Sequence, residues 1–204
     1  MEFKASLPGV RAIFLDLDGT MYLGNSLIPG ALEFLQRCED KGLRVFYLSN
    51  NSSRSVDEYL VKLQNLGLPA NREDVLLSTH DLIAWLKQEG YSQVWIFGTE
   101  GMRLMLENAG ITTDSENPDL VVLGYHTSLT YDEIAKVGVL LNRGIPMAAA
   151  HNDLNCPSPD GGIPDVGSFM AMFEAANCVT PIKVCGKPNP SMIMHKIKEL
   201  GLDP

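Results

Sequence analysis

Two aspartates separated by one residue follow a short apolar run near the start of the chain. The run covers residues 12–15, and Asp16 and Asp18 come directly after it, ahead of Gly19 and Thr20. A short apolar run is typical of a strand that is buried on both faces of a parallel sheet. Because open α/β sheets bind ligands beyond the carboxyl ends of their strands, both carboxylates are predicted to lie at the edge of a binding site.

The chemistry open to this pair follows from its charge. Neighbouring carboxylates repel unless a cation or proton lies between them, so Asp16 and Asp18 are predicted to bind a hard dication, most plausibly Mg²⁺. One ionised aspartate can attack phosphorus, while the other protonates the leaving oxygen and then activates water. Gly19 lets the backbone approach a bound anion and present its N–H group. The alternative interpretation is an ordinary Asp-x-Asp-Gly turn at a strand end.

Polar side chains also follow two later apolar runs. Ser49 and Asn50 come after residues 44–48, and Lys187 comes shortly after residues 182–185. A hydroxyl and an amide can hydrogen-bond phosphate oxygens without adding negative charge, and the alternative is a capping cluster for the next helix. A lysine opposite two carboxylates can offset charge on a transferring phosphoryl group, and the alternative is an exposed turn lysine.

These motifs together resemble those of a known enzyme family. Residues 16–20 resemble the first signature of the haloacid dehalogenase-like hydrolase superfamily. Ser-Asn-Asn and Gly-Lys-Pro, at residues 49–51 and 186–188, are similar to the second and third motifs of its subfamily IIA, the group of NagD, 4-nitrophenylphosphatase and phosphoglycolate phosphatase. The resemblance implies Mg²⁺-dependent hydrolysis of a small phosphorylated metabolite through an aspartyl-phosphate. It makes Asp16 the nucleophile and Asp18 the general acid and base.

The elements that must position these residues alternate between strands and helices. Residues 79–179 form an α/β series of their own, which fits a second small domain inserted into the first. The resemblance implies a doubly wound, Rossmann-like parallel core formed by residues 1–78 and 180–204. Residues 79–179 would then be an inserted α/β cap.

A polar stretch at residues 151–167 lacks periodicity, which indicates a functional loop or disorder. His151, Asp153 and Cys156 invite comparison with a zinc site, but their spacing matches no zinc pattern and a fourth ligand is absent. By the resemblance, this loop closes over the core site, and Asn152 and Asp153 are candidate contacts to the substrate. A plain surface loop is the alternative.

The charge and the cysteine content of the chain indicate which classes of partner it can bind and in which compartment it works. The 204-residue chain has a formal net charge of −9, which argues against a nucleic-acid polymer but not against a small phosphate ester. Its four cysteines form no Cys-x-x-Cys pair, which favours a reducing cytoplasmic compartment. The sequence predicts neither a signal peptide nor a membrane span. A homodimer formed through the cap is an expectation by analogy alone.

The fourth motif of the family is the part of the resemblance that this sequence lacks. In the family, a further strand ends in Gly-Asp with another aspartate nearby, and these acids complete the Mg²⁺ site. The sequence reaches Pro204 without such a strand, so the resemblance implies a fragment whose C-terminal core strands and remaining Mg²⁺ ligand are missing. Two other hypotheses stay open: a catalytically incomplete protein that binds a phosphorylated ligand, and a phosphosugar mutase.

Overall fold

The computed structural model describes residues 9–202, so residues 1–8 and 203–204 of the predicted core lie outside the described residues. The described helices are α1 (Ala31–Asp40), α2 (Val56–Asn65), α3 (Ser78–Glu89), α4 (Glu100–Asn108), α5 (Tyr131–Asn142), α6 (Val166–Asn177) and α7 (Ser191–Glu199), with a 3₁₀ turn at Arg72–Asp74. None of the helices in this range combines the length and apolar character needed to cross a bilayer.

The strands form two parallel sheets and two small hairpins. In chain order they are β1 (Ala12–Asp16), β2 (Tyr22–Leu23), β3 (Ser26–Leu27), β4 (Arg44–Ser49), β5 (Val75–Leu77), β6 (Val94–Phe97), β7 (Leu120–Leu123), β8 (Met147–Ala149), β9 (Asn155–Cys156), β10 (Ile163–Pro164) and β11 (Lys183–Val184). Parallel sheets packed with helices confirm the predicted α/β class.

The first sheet has the strand order β1–β4–β5 and brings the first two motifs together. Asp16 lies opposite Leu48, and Ser49 lies opposite Leu77, so β1 and β4 end at the same edge. This register follows from parallel pairing, in which the carboxyl ends of neighbouring strands meet. The two predicted polar strand ends therefore meet at one site.

Strand β1 departs from its prediction. All five of its residues are only half-buried, so the expectation of a strand buried on both faces is wrong. Within residues 9–202, β1 hydrogen-bonds to β4 alone. One of its faces packs on the cluster that includes Leu17 and Tyr59, while Phe14 stacks on Phe46 with ring centroids 5.2 Å apart.

The second sheet has the order β11–β8–β7–β6 and is covered on both faces. Leu120 and Val122 of β7 pack with residues of α3 and α4. Val121 and Leu123 alternate with them and pack with residues of α5 and α6 on the other face. This alternation of fully buried residues is the pattern expected of a central parallel strand.

The strand before Lys187, β11, lies in a different sheet from the one that was predicted. The division at residue 180 assigns the strand before Lys187 to the core, but Lys183 lies opposite Ala148 of β8 in the second sheet. The reason is apolar packing, since Cys185 joins the buried cluster that contains Ala148 and Ala150. Apart from this strand, the division into a core and an inserted cap stays a prediction.

Candidate active site

A cavity of about 260 Å³ lies where β1 and β4 end. Its lining residues are Asp16, Asp18, Ser49, Asn50, Asn51, Asp153, Asn155, Cys156, Pro157, Asp165 and Lys187. A larger cavity of about 910 Å³ lies beside α1 and the start of β4, but none of these residues lines it. The smaller cavity is therefore where the chemistry predicted from the sequence comes together.

Asp16 is held from two sides. Lys187 donates from its Nζ to Asp16 Oδ1, across 171 positions of sequence. The hydroxyl of Thr20 donates to Asp16 Oδ2 at 3.2 Å. The third predicted motif thus reaches the first through an ion pair, although the strand before Lys187 belongs to the other sheet.

Asp18 has partners that the sequence did not suggest. The hydroxyl of Tyr22 donates to Asp18 Oδ2 at 3.2 Å, and the ammonium of Lys62 lies 3.7 Å from Asp18 Oδ1. Burial raises the pKa of Tyr22, which keeps its hydroxyl protonated as a donor. Burial lowers the pKa of Lys62, and the charge of Asp18 opposes that change. No local pattern links Lys62 on α2 to the first motif, so sequence analysis missed it.

Ser49 is fixed by buried neighbours. Its hydroxyl lies 3.1 Å from the hydroxyl of Tyr59 and accepts from the backbone N–H of Asn51 at 3.1 Å. The alternative role as part of a helix cap is excluded, because α2 is capped by Ser55 in a reciprocal pair with Glu58. Ser49 therefore lines the cavity without serving the helix that follows.

Asn50 lines the cavity, but its amide is fully used by protein groups. Its Oδ1 accepts from the backbone N–H of Lys187 at 2.7 Å. Its Nδ2 donates to the carbonyl of Lys187 at 3.1 Å and to Asp153 Oδ2 at 3.0 Å. Asn50 thus holds the lysine segment and the polar loop in place, and its direct contact with phosphate stays a prediction.

Gly186 makes the close approach of this lysine segment feasible. Its φ is +71°, and an added Cβ would lie 2.7 Å from Asn50 Oδ1 and 2.9 Å from the carbonyl oxygen of Ala150. Its backbone N–H donates to Asp81 Oδ2 at 3.0 Å. Only glycine fits such a conformation without displacing backbone or the amide of Asn50.

The polar loop adds two carboxylates to the cavity. Asp153 and Asp165 flank the fully buried ring of His151, whose Nδ1 lies 3.5 Å from Asp153 Oδ2 and whose Nε2 lies 3.6 Å from Asp165 Oδ1. The ligand atoms of these three residues lie within 4.8 Å of one another, so His151 and Asp153 group with Asp165 instead of Cys156. Burial raises the pKa of Asp165 to about 7 and lowers that of His151.

Asp165 is the site residue that a closer inspection of the sequence could have found. It caps α6, accepting from the N–H of Val166 at 2.7 Å. Aspartate directly before an apolar helical run is a strong capping signal. Recognising that cap would have placed Asp165 at the end of the polar loop.

Two predicted contacts lie outside the cavity lining. Gly19 is exposed with a φ of +82°, and an added Cβ would lie 3.9 Å from Pro157 Cγ. At Gly24, an added Cβ would lie 3.2 Å from Pro159 Cγ. The hairpin of β9 and β10 therefore covers the loop after the first motif. Asn152 belongs to the polar loop but is exposed, so its role as a substrate contact stays a prediction.

Comparison with known sequences identifies the family. Residues 13–112 match the haloacid dehalogenase-like hydrolase family. Over 196 residues the chain is 32% identical to the 5'-nucleotidase YutF of Bacillus subtilis, covering 95% of this chain and 75% of that protein. The chain belongs to the haloacid dehalogenase-like hydrolases. An acid sugar phosphatase of Staphylococcus aureus is 30% identical over 197 residues, with the same 95% and 75% coverage.

Solved structures agree with this assignment. The 4-nitrophenylphosphatase of Thermotoga maritima superposes with a TM-score of 0.88 at 38% identity, covering 95% of this chain and 75% of that chain. A glycerol phosphate phosphatase of Mycobacterium tuberculosis, solved with magnesium, has a TM-score of 0.84 at 28% identity, covering 94% of this chain and 59% of that chain. These comparisons confirm the predicted family, its fold and its enzyme class, a phosphatase.

Proposed function

We propose that the protein hydrolyses a small phosphomonoester in a Mg²⁺-dependent reaction that passes through an aspartyl-phosphate. The observation that carries this proposal is the ion pair between Asp16 and Lys187, in a cavity that Asp18 and Ser49 also line. The cavity therefore brings together a nucleophile (Asp16), a proton-transfer group (Asp18) and two phosphate-binding groups (Ser49 and Lys187). These are the parts that phosphoryl transfer through a covalent intermediate requires.

In the first step, a carboxylate oxygen of Asp16 attacks phosphorus, and the bond between phosphorus and the ester oxygen breaks. Asp18 gives its proton to the departing oxygen, so the product leaves as an alcohol. Lys187 and the hydroxyl of Ser49 bind the phosphoryl oxygens. Gly19 instead shapes the loop after the first motif, since its backbone N–H donates to the carbonyl of Tyr22 at 2.7 Å. The Tyr59 and Asn51 contacts that fix Ser49 keep its hydroxyl in position for this role.

In the second step, water attacks the aspartyl-phosphate, and Asp18 takes a proton from that water. The bond between phosphorus and Asp16 breaks, which releases inorganic phosphate and restores the carboxylate. Lys62 at 3.7 Å and the Tyr22 hydroxyl at 3.2 Å hold the Asp18 carboxyl in position for both proton transfers. Each residue therefore ends the cycle in its starting state.

The donor set fits a hard dication. The described lining residues include four carboxylates and a single lysine. The cavity therefore carries a net negative charge before a phosphate ester binds. Mg²⁺ is commonly held by one or two carboxylates together with water and substrate phosphate oxygens, and Asp16 and Asp18 would supply the protein's share. When bound, the ion would supply positive charge against the phosphoryl oxygens.

Steady-state hydrolysis of 4-nitrophenyl phosphate tests this proposal. We expect Asp16→Asn to lower kcat by more than about 10³-fold, since the amide is not a nucleophile. Asp132→Asn, at an exposed position in the first turn of α5, is the matched control and should retain wild-type turnover. Wild-type turnover by Asp16→Asn would overturn the proposal.

Two further outcomes would redirect the assignment. Saturable binding of phosphate esters without turnover by the wild-type protein would instead favour a phospho-ligand-binding protein. Transfer of labelled phosphate between positions of a sugar, without net hydrolysis, would favour a mutase.

A further inference from the structure

The two ends of the cavity carry different charges. At the end formed by the first motif, Asp16 is paired with Lys187 and Asp18 lies 3.7 Å from Lys62. The lining residues of the polar loop, which we call the cap-side subsite and define as Asp153, Asp165, Asn155 and Cys156, include no lysine or arginine, and Lys187 is the one cation of the described cavity lining. The first end is therefore neutralised by the protein, and the cap-side subsite is not.

Asp153 presents an acceptor that has no protein partner. Its Oδ2 accepts from Asn50 at 3.0 Å, whereas Oδ1 has no hydrogen-bond donor within residues 9–202. Its side chain is 44% exposed and belongs to the cavity lining. A carboxylate that is held on one oxygen and free on the other is a preorganised acceptor for a hydroxyl or ammonium group.

His151 supports this carboxylate without cancelling its charge. The ring is fully buried between Asp153 and Asp165, and its Nε2 has no hydrogen-bond partner in the described range. Burial lowers the pKa of His151, which keeps the imidazole neutral. The ring therefore lies between the two aspartates without hydrogen-bonding to either carboxylate, and the subsite stays negative.

The rest of the cap-side subsite is neutral and small. Burial raises the pKa of the Cys156 thiol to about 11, so it is uncharged near neutral pH. Asn155 contributes an amide, and the whole cavity measures about 260 Å³. That volume lies below the range of roughly 300–1,000 Å³ typical of sites for larger ligands, which favours a leaving group the size of a small polyol or amino alcohol.

From these observations we propose that the cap-side subsite binds the leaving group of the substrate and selects one that carries hydroxyl or ammonium donors and no negative charge. This inference rests on the proposed phosphatase function. Asp153 is the specificity-determining residue, since its side chain is the accessible carboxylate of the subsite, whereas the side chain of Asp165 is 4% exposed. A leaving group with a carboxylate or a second phosphate would place like charges together and lose affinity by about 10- to 100-fold.

Calorimetry with two phosphonates of matched size tests the subsite independently of turnover. The probes are 2-aminoethylphosphonate, which carries an ammonium group, and phosphonoacetate, which carries a carboxylate in its place. With Mg²⁺ present, we expect the wild-type protein to bind the ammonium compound at least about 10-fold more tightly. We expect Asp153→Asn to reduce that ratio to near one, because the charge is removed while the amide keeps the shape.

Asp160→Asn is the matched control, since Asp160 is an exposed acid on the same polar loop that is not part of the cavity lining. This variant should keep the wild-type ratio. Equal affinities in the wild-type protein, failure of both probes to bind, or an unchanged ratio in Asp153→Asn would overturn the inference. A preserved ratio in a protein that does not hydrolyse 4-nitrophenyl phosphate would reject the catalytic proposal while supporting the subsite.

Discussion

The end of the cavity at the first motif and the cap-side subsite show two ways of treating aspartates at a ligand site. At the first-motif end each aspartate has its own lysine, Lys187 for Asp16 and Lys62 for Asp18. In the cap-side subsite, Asp153 and Asp165 share a buried histidine in place of a cation. The first arrangement suits a doubly charged phosphoryl group, and the second suits a partner that brings hydrogen-bond donors of its own.

The largest expected effect comes from removing the cation at the first-motif end. We expect Lys187→Met to lower kcat/KM for 4-nitrophenyl phosphate by about 10³-fold, because charge on the transferring group is then no longer offset. Lys198→Met, at an exposed position in the last turn of α7, is the control and should match the wild-type enzyme. A loss of less than about 10-fold would show that the ion pair with Asp16 is structural only.

Asn50 links the two ends, so its removal should affect both. We expect Asn50→Ala to lower kcat/KM by about 10²-fold, because the hydrogen bonds that position Lys187 and Asp153 are lost. Thermal unfolding should show a loss of about 1–3 kcal/mol from unsatisfied buried groups. Asn108→Ala, at the exposed end of α4, is the control. Unchanged activity together with reduced stability would limit Asn50 to a structural role.

Gly186 tests the steric fit between the lysine segment and Asn50. We expect Gly186→Ala to destabilise the protein by about 1–3 kcal/mol more than Gly90→Ala, because overpacking is added to the conformational strain. Gly90 is a matched control, since its φ is +82° and an added Cβ would meet nothing within 4 Å. Denaturant unfolding of both variants measures the difference, and equal losses would contradict the described contacts.

The last expected effect is a dependence of the protein's stability on pH, which arises in the cap-side subsite. Burial raises the pKa of Asp165 from 3.8 to about 7, so the folded protein retains a proton that the unfolded chain has released. The stability that this proton provides is present below about pH 4 and is lost as pH rises towards 7. The variant Asp165→Asn lacks this loss, and asparagine preserves the helix cap.

We therefore expect the Tm of Asp165→Asn minus that of the wild-type protein to increase by about 6–12 °C from pH 4.5 to pH 7.5, since a shift of this size corresponds to about 3 kcal/mol over that range. Thermal unfolding at a series of pH values measures this difference. A difference that stays constant across the series would contradict the raised pKa of Asp165.

Two of the strand-end residues were predictable from the apolar runs before them. Asp16 and Ser49 end runs that the hydrophobic pattern predicts as strands, and parallel pairing brings those ends together. Lys187 also follows an apolar run, but it reaches the same cavity from the other sheet. The sheet to which β11 belongs was not predictable in this way. A two-residue strand carries too little pattern to choose between two parallel sheets.

The missed residues share a different cause. Tyr22 and Lys62 reach the site through tertiary packing, and nothing near them in sequence distinguishes them from core or surface residues. The hairpin of β9 and β10 lies in the stretch that was predicted as a loop, since strands of two residues are too short to show alternation. The prediction that β1 is buried on both faces was wrong, because the local sequence does not determine how many strands lie beside it in the sheet.

Trapping of a covalent intermediate tests the central claim most directly. The wild-type protein would be mixed with 4-nitrophenyl phosphate and Mg²⁺, quenched in acid within one turnover, and analysed by intact and peptide mass spectrometry. The account predicts one added phosphoryl group, on the peptide that contains Asp16, and none in Asp16→Asn. Turnover of the wild-type protein without a phosphorylated species, or phosphorylation at another residue, would contradict it.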